Sequence, residues 1–152
     1  MAYDSLPAQP VLLALQRAAH ASAHALTAGL AGHDLIGHDL TGSEVNALAN
    51  LAGRDGQTVS ELAAACGARP TTLTSVLDRL ERRGHVARGR RPGDRRAVLI
   101  ELTPAGRRAA DAITSAIAAL ERRALAGLPP EAVAACHAVL HALTEVTALD
   151  HA

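Results

Sequence analysis

Neither phenylalanine nor tryptophan occurs among the 152 residues and tyrosine occurs once, so any core must be built from aliphatic side chains. The 35 alanines are the strongest helix formers available, and a mostly helical chain follows before any pattern is considered. The same lack of aromatics removes the stacking platforms that hold single-stranded nucleic acid or splayed RNA bases. The length suits one ordinary domain rather than a multidomain enzyme. Two cysteines make no disulfide framework, no basic and apolar leader opens the chain, and no run approaches the roughly 18 apolar residues of a membrane span. The expectation is a cytoplasmic protein without membrane contact.

The formal net charge of zero conceals a strong asymmetry. All fifteen basic residues are arginine, and eleven of them lie from Arg69 to Arg108 against four acids, Asp78, Glu81, Asp94 and Glu101. That segment therefore carries +7 (11 minus 4) and the rest of the chain −7 (4 minus 11). A basic middle between acidic ends suits a surface aimed at a polyanion; the alternative is a solvated arginine-rich face.

Apolar spacing organises the chain into helices. Leu12, Leu15, Ala19, Leu26 and Leu30 recur every three or four residues or multiples of that spacing, which predicts a long helix from Val11 to about Leu30. Thr41 followed by Glu44, and Thr58 followed by Glu61, have the form of capping boxes that open helices to about Ala52 and Ala65. Cys66-Gly67 ends the second of these, and a further helix is predicted over Arg69 to Arg83, with Pro70 tolerated in its first turn. Leu73, Val76, Leu77 and Leu80 form its single apolar stripe, leaving Thr71, Thr74, Ser75, Asp78, Arg79 and Arg82 for solvent. Two short helices joined by a glycine turn, the second starting with small hydroxyls and an arginine, describe a helix-turn-helix.

After Gly84 the period changes. His85 to Arg91 and Ala97 to Leu102 read as strands, with Val98, Ile100 and Leu102 on one face, around a Pro92-Gly93-Asp94-Arg95 turn. The hairpin tip gathers Arg90, Arg91, Arg95 and Arg96, a like-charge cluster that folding alone does not require. Thr103-Pro104 then opens a helix to about Ala126. Pro129-Pro130 separates it from a last helix, about Glu131 to Leu149, whose apolar side includes Val133, Cys136, Val139 and Leu140.

The run Glu61-Leu62-Ala63, Arg69-Pro70-Thr71-Thr72-Leu73-Thr74, Leu77-Asp78-Arg79-Leu80-Glu81, Gly84, Pro92-Gly93-Asp94-Arg95-Arg96 and Leu102-Thr103-Pro104-Ala105-Gly106 resembles the MarR family of winged-helix transcription regulators, densely from about Thr41 to Gly106. The resemblance implies a mostly α fold with a small β-hairpin wing. It implies a single chain over residues 1–152, with dimerisation helices at about 10–31 and 104–150 and a winged helix-turn-helix at about 41–103. It also implies a homodimer on double-stranded, pseudo-palindromic DNA, acting as a repressor relieved by a small molecule. The DNA-contact residues are then Arg69, Thr71, Thr72, Thr74 and Ser75 on the recognition helix, and Arg91, Asp94, Arg95 and Arg96 in the wing. Short hydroxyls at a helix start suit phosphates and base edges. Ala68 stands where relatives carry a capping Ser or Asp, and Ser75 where many carry arginine. Arg96 aligns with the arginine inserted in the minor groove and Asp94 with the acid that orients it; the alternative for Asp94 is a plain turn-former.

Histidines form a second thread. His20 and His24, and His137 and His141, are spaced i, i+4 on the first and last helices, while His33 and His38 lie in the loop after the first helix. Three readings stay open: structural or surface histidines, effector contacts by His20, His24 and His38, or a zinc-responsive regulator using the pairs, which have no nearby Glu or Asp expected to complete a site within one helix. Cys66 and Cys136 are expected as small buried hydrophobes, with a redox switch as the alternative. No acid, base and nucleophile constellation points to an enzyme, no cofactor is expected, and an interaction module that had lost DNA binding would not keep the wing arginines.

Overall fold

The computed structural model describes residues 9–31, 40–91 and 93–149, without the side chains of Arg91, Asp94, Arg95, Arg96 and residues 147–149. Six helices and three strands are described: α1 Val11–Leu30, α2 Gly42–Gly53, β1 Gln57–Thr58, α3 Val59–Cys66, α4 Pro70–Arg82, β2 Val86–Arg91, β3 Asp94–Leu102, α5 Pro104–Leu125 and α6 Pro130–Leu149. Two compact units divide after Ile117. Among the described residues no helix is long and apolar enough to cross a membrane.

Local chemistry sets the boundaries. Both capping boxes form: the Thr41 hydroxyl accepts from the Glu44 N–H while the Glu44 carboxylate accepts from the Thr41 N–H, and Thr58 and Glu61 repeat the exchange. Gly67, at φ +63°, closes α3 in the left-handed conformation that a glycine adopts without a Cβ penalty. α4 begins at Pro70 and not at Arg69. A residue preceding proline is pushed out of the helical region, and Arg69, at φ −75° and ψ 143°, is the N-cap instead. It makes no side-chain capping bond, so the weak helix start expected at Ala68 is found one residue later.

The core of the first unit is aliphatic throughout. Leu48 and Leu51 of α2, Leu62 of α3, the whole α4 stripe, Ile100 and Ile113 are buried together, and Leu26 and Leu30 bring the end of α1 onto them. Each fully buried Leu or Ile contributes on the order of 2 kcal/mol. The rest of α1 is largely exposed, including Leu12 and Leu13. In the second unit Leu125, Leu128, Val139 and Val146 are also exposed, and so is Cys136, against the buried position expected for it. Nothing described within its own unit covers that side of α6.

The hairpin extends into a three-stranded antiparallel sheet of order β1-β3-β2. β1 is not legible in the sequence, because two residues display no period. β3 starts at Asp94 rather than Ala97, since Arg91 pairs with Asp94 after a register shift at Arg90. Of the expected face of β3, Ile100 is buried and Leu102 packs against the core, whereas Val98 is exposed; Leu99, on the opposite face, is buried as well. β1 pairs only with Leu99 and Ile100. At the sheet's other end the Thr103 N–H and hydroxyl donate to the His85 carbonyl at 3.1 and 3.2 Å, and the Gly106 N–H donates to the Thr103 hydroxyl at 3.0 Å. Gly106 thereby packs directly on the backbone of His85.

Candidate nucleic-acid interface

The exposed start of α4 brings together five of the expected contact residues. Arg69, Thr71, Thr72, Thr74 and Ser75 are all exposed, because the stripe from Leu73 to Leu80 turns the opposite face of the helix into the core. The Thr74 hydroxyl donates to the Pro70 carbonyl and the Ser75 hydroxyl to the Thr72 carbonyl, both at 2.9 Å. Their remaining lone pairs face outward as acceptors, whereas Thr71 and Thr72 keep donor and acceptor capacity. With no side-chain cap on this helix start, backbone N–H groups in the first turn also stay open to an anion.

The side chains of Arg91, Asp94, Arg95 and Arg96 lie outside the described residues, as does His38 entirely. Their backbone positions in the hairpin are described, flanking Gly93 at φ +84°. Arg90, exposed beside them, pairs with no acid among the described residues.

Several arginines of the basic segment are already engaged. Arg79, expected to face solvent, donates from Nε to Glu44 Oε1 at 3.2 Å, and Arg83 Nη1 lies 3.9 Å from Glu44 Oε2. Burial pushes the Glu44 carboxyl up, but hydrogen bonds from Thr41 and Arg79 and the charge of Arg83 outweigh it and hold the group below its ordinary value. Arg88 pairs with Asp78 at 2.6 Å and with Glu81, and those two acids raise its pKa further against a smaller opposing effect of burial. Arg107 pairs with Asp55, whose other oxygen accepts from the Leu102 N–H at 2.9 Å. The +7 of the segment thus overstates the charge free to meet a polyanion.

These partners are not legible in the sequence because they are distant in the chain; Glu44 reads there as a cap, but its pairing with Arg79 spans 35 residues. The histidine pairs are exposed. His141 has Glu145 one turn beyond it, Nε2 to Oε1 at 4.0 Å, so this pair does have an acid nearby, against expectation. Even so, among the described residues no group of three or more His, Cys, Asp or Glu is arranged to hold a metal ion. Cys66 is half-buried against the core, and burial pushes its thiol up, away from the thiolate a redox switch needs.

The sequence model of the MarR family matches residues 38–97, which run from the segment before α2 into β3. The solved structure of transcriptional regulator PA3341 shares 30% identity, with 92% of this chain and 98% of that one covered and a TM-score of 0.73. The chain belongs to the MarR family. CouR from Rhodococcus jostii RHA1, solved bound to p-coumaroyl-CoA, is similar at 25% identity, 93% and 95% coverage and a TM-score of 0.78. FabT from Streptococcus pneumoniae, solved in complex with DNA, shares the fold at 22% identity, 90% and 94% coverage and a TM-score of 0.72. A comparison with curated proteins finds no match. As a MarR-family chain, this protein is a winged-helix, DNA-binding transcription regulator, with the β2–β3 hairpin in its wing.

Proposed function

We propose that the protein acts as a homodimer on a pseudo-palindromic duplex and represses transcription until a small molecule releases it. Arg69, Thr71, Thr72, Thr74 and Ser75 contact the major groove, while Arg91, Arg95 and Arg96 reach the minor groove and flanking phosphates, with Asp94 orienting Arg96. The observation that carries this reading is the exposed hydroxyl and arginine face at the uncapped start of α4, on the same compact unit as an arginine-tipped hairpin.

Dimerisation through residues 10–31 and 104–150 is supported by the large apolar residues those helices leave exposed, Val11, Leu12, Leu13, Leu125, Val139 and Val146, which a second copy would cover. A ligand-controlled switch is supported by the similarity to CouR, which was solved bound to an acyl-CoA carrying a phenol. For this chain the effector is a small organic acid or phenol contacted by His20, His24 or His38. The test compares Arg69→Ala and Arg96→Ala with Arg107→Ala on a duplex enriched by the parent protein from a random pool. Arg107 is held by Asp55, so the first two variants should lose much more affinity at one fixed salt concentration. Equal losses would refute the assignment of α4 and the hairpin as the contact surface.

A further inference from the structure

We propose that DNA binding requires a neutral His85 ring, so that protonation of this one side chain releases the DNA in acid. The inference rests on the reading of α4 and the hairpin as the DNA-contacting elements, and His85 is the link between them. Gly84, at φ +73°, turns the chain out of α4, and Val86 begins β2 in the core. Both backbone groups of His85 are committed. Its N–H donates to the Leu80 carbonyl at 2.9 Å and its carbonyl accepts from the Thr103 N–H at 3.1 Å, while Gly106 packs on it from α5. α4, the hairpin and the start of α5 therefore meet at one residue.

The side chain at this junction suits one protonation state. Nδ1 is buried and has no hydrogen-bond partner among the described residues. A neutral imidazole tolerates that, because it can carry its single N–H hydrogen on Nε2 and leave Nδ1 a bare lone pair. The imidazolium places a hydrogen on Nδ1 as well, and a buried charged donor without an acceptor is costly. Neighbouring charges do not rescue it. Arg83, two residues earlier, repels the cation. The acid that attracts it, Glu44 on α2, already accepts from Arg79 and faces Arg83. On α5 the first charged side chains are Arg107, held by Asp55, and Arg108, exposed; on β3 Glu101 is exposed and lies over Gly89. Burial and Arg83 accordingly hold the pKa of the ring below its ordinary value against the pull of Glu44. The ring is half-buried, and once protonated it is relieved by turning Nδ1 out to water, which disturbs the residue joining α4 to β2.

The proposal is decidable by sign. A polyanion ordinarily raises the pKa of histidines near it, and acid ordinarily tightens DNA binding by adding positive charge. Here acid should weaken binding, and by linkage DNA should lower the pKa of His85.

The experiment measures affinity for a duplex enriched by the parent protein, at one salt concentration, from about pH 7.5 to about pH 5. It compares the parent with His85→Leu, circular dichroism confirming the fold at each pH, and titrates the His85 ring by NMR in the free and DNA-bound parent. The parent's affinity should fall about tenfold per pH unit below the pKa of free His85, the rate at which the neutral, binding-competent form is depleted. His85→Leu should hold or gain affinity over the same range, since the exposed His20, His24, His137 and His141 only add positive charge. The pKa of the ring should be lower in the complex than in the free protein, a result that does not depend on any variant folding. Unchanged or tighter parental binding in acid, an equal loss in His85→Leu, a pKa raised or unmoved by DNA, or unfolding before affinity falls would each overturn the proposal. If the parent enriches no duplex, the DNA-contact reading itself falls and this inference with it. An enriched duplex bound as tightly in acid overturns this inference alone.

Discussion

Replacing Gly106 by alanine should destabilise the protein, although a glycine-to-alanine change within a helix ordinarily adds about 1 kcal/mol of stability. Gly106 is the third residue of α5. A methyl group there would lie 1.8 Å from the His85 carbonyl oxygen, 2.8 Å from its carbonyl carbon and 3.2 Å from its Cα. All three are backbone atoms, so no rotamer change relieves the clash. Reaching an ordinary C···O separation of about 3.3 Å requires α5 and the start of β2 to part by roughly 1.5 Å.

That displacement breaks the Thr103 N–H bond to the His85 carbonyl, 3.1 Å long, and the Thr103 hydroxyl bond to the Gly84 carbonyl, 2.6 Å long. Two hydrogen bonds at about 1 kcal/mol each and about 1–3 kcal/mol of overpacking strain, less about 1 kcal/mol of helix propensity, leave a net loss of about 2–4 kcal/mol. Urea unfolding at constant protomer concentration, as a dimer requires, reads this as a lowered midpoint. Gly53→Ala is the control: Gly53 ends α2 with nothing within 4 Å of the added methyl, and its midpoint should stay or rise. A Gly106→Ala midpoint equal to the parent's would refute the reasoning.

His85 Nδ1 is buried without a hydrogen-bond partner among the described residues, and burial and Arg83 hold its pKa below the ordinary value against an opposing pull from Glu44. The unfolded chain therefore takes up this proton first, and the contribution is lost as pH falls through about 6.5 toward the lower folded value. Thermal scans from neutral to acid pH should show a flatter decline for His85→Leu than for the parent, and superimposable declines would exclude His85 as the source. Glu44→Gln keeps the shape of the buried carboxylate but removes its charge from between Arg79 and Arg83, and should cost about 1–3 kcal/mol in urea unfolding. An unchanged midpoint would mean the pairings add nothing. For the effector, p-coumaroyl-CoA and simple phenolic acids should release DNA less well from at least one of His20→Ala, His24→Ala and His38→Ala; parental behaviour in all three would remove the histidines from the site.

Local signals carried most of this fold. The capping pairs Thr41/Glu44 and Thr58/Glu61, the α4 stripe and the Thr103-Pro104 helix start each act within a few residues, and each formed as the spacing implied. Most of the misses come from partners far apart in the chain. β1 exists because β3 offers Gln57 and Thr58 an edge at Leu99 and Ile100, which two residues cannot signal. At the interface, Thr71, Thr72 and Thr74 could be placed by helix phase alone, but the engagement of Arg79 by Glu44, of Arg88 by Asp78 and Glu81, and of Arg107 by Asp55 depends on tertiary contact. Counting charge found the basic segment and could not say which guanidinium groups were already held. Proline chemistry explains the one-residue shift at the start of α4, where Pro70 makes Arg69 the N-cap.

The most direct test of the account is the symmetry of the DNA it selects. Duplexes enriched by the protein from a random pool should share a two-fold related site with half-site centres about one helical turn apart, and a duplex in which one half-site is scrambled should bind far more weakly at the same salt concentration. Enriched duplexes without two-fold symmetry, or half-sites that bind as tightly as full sites, would contradict a dimer that presents two α4 helices to the major groove.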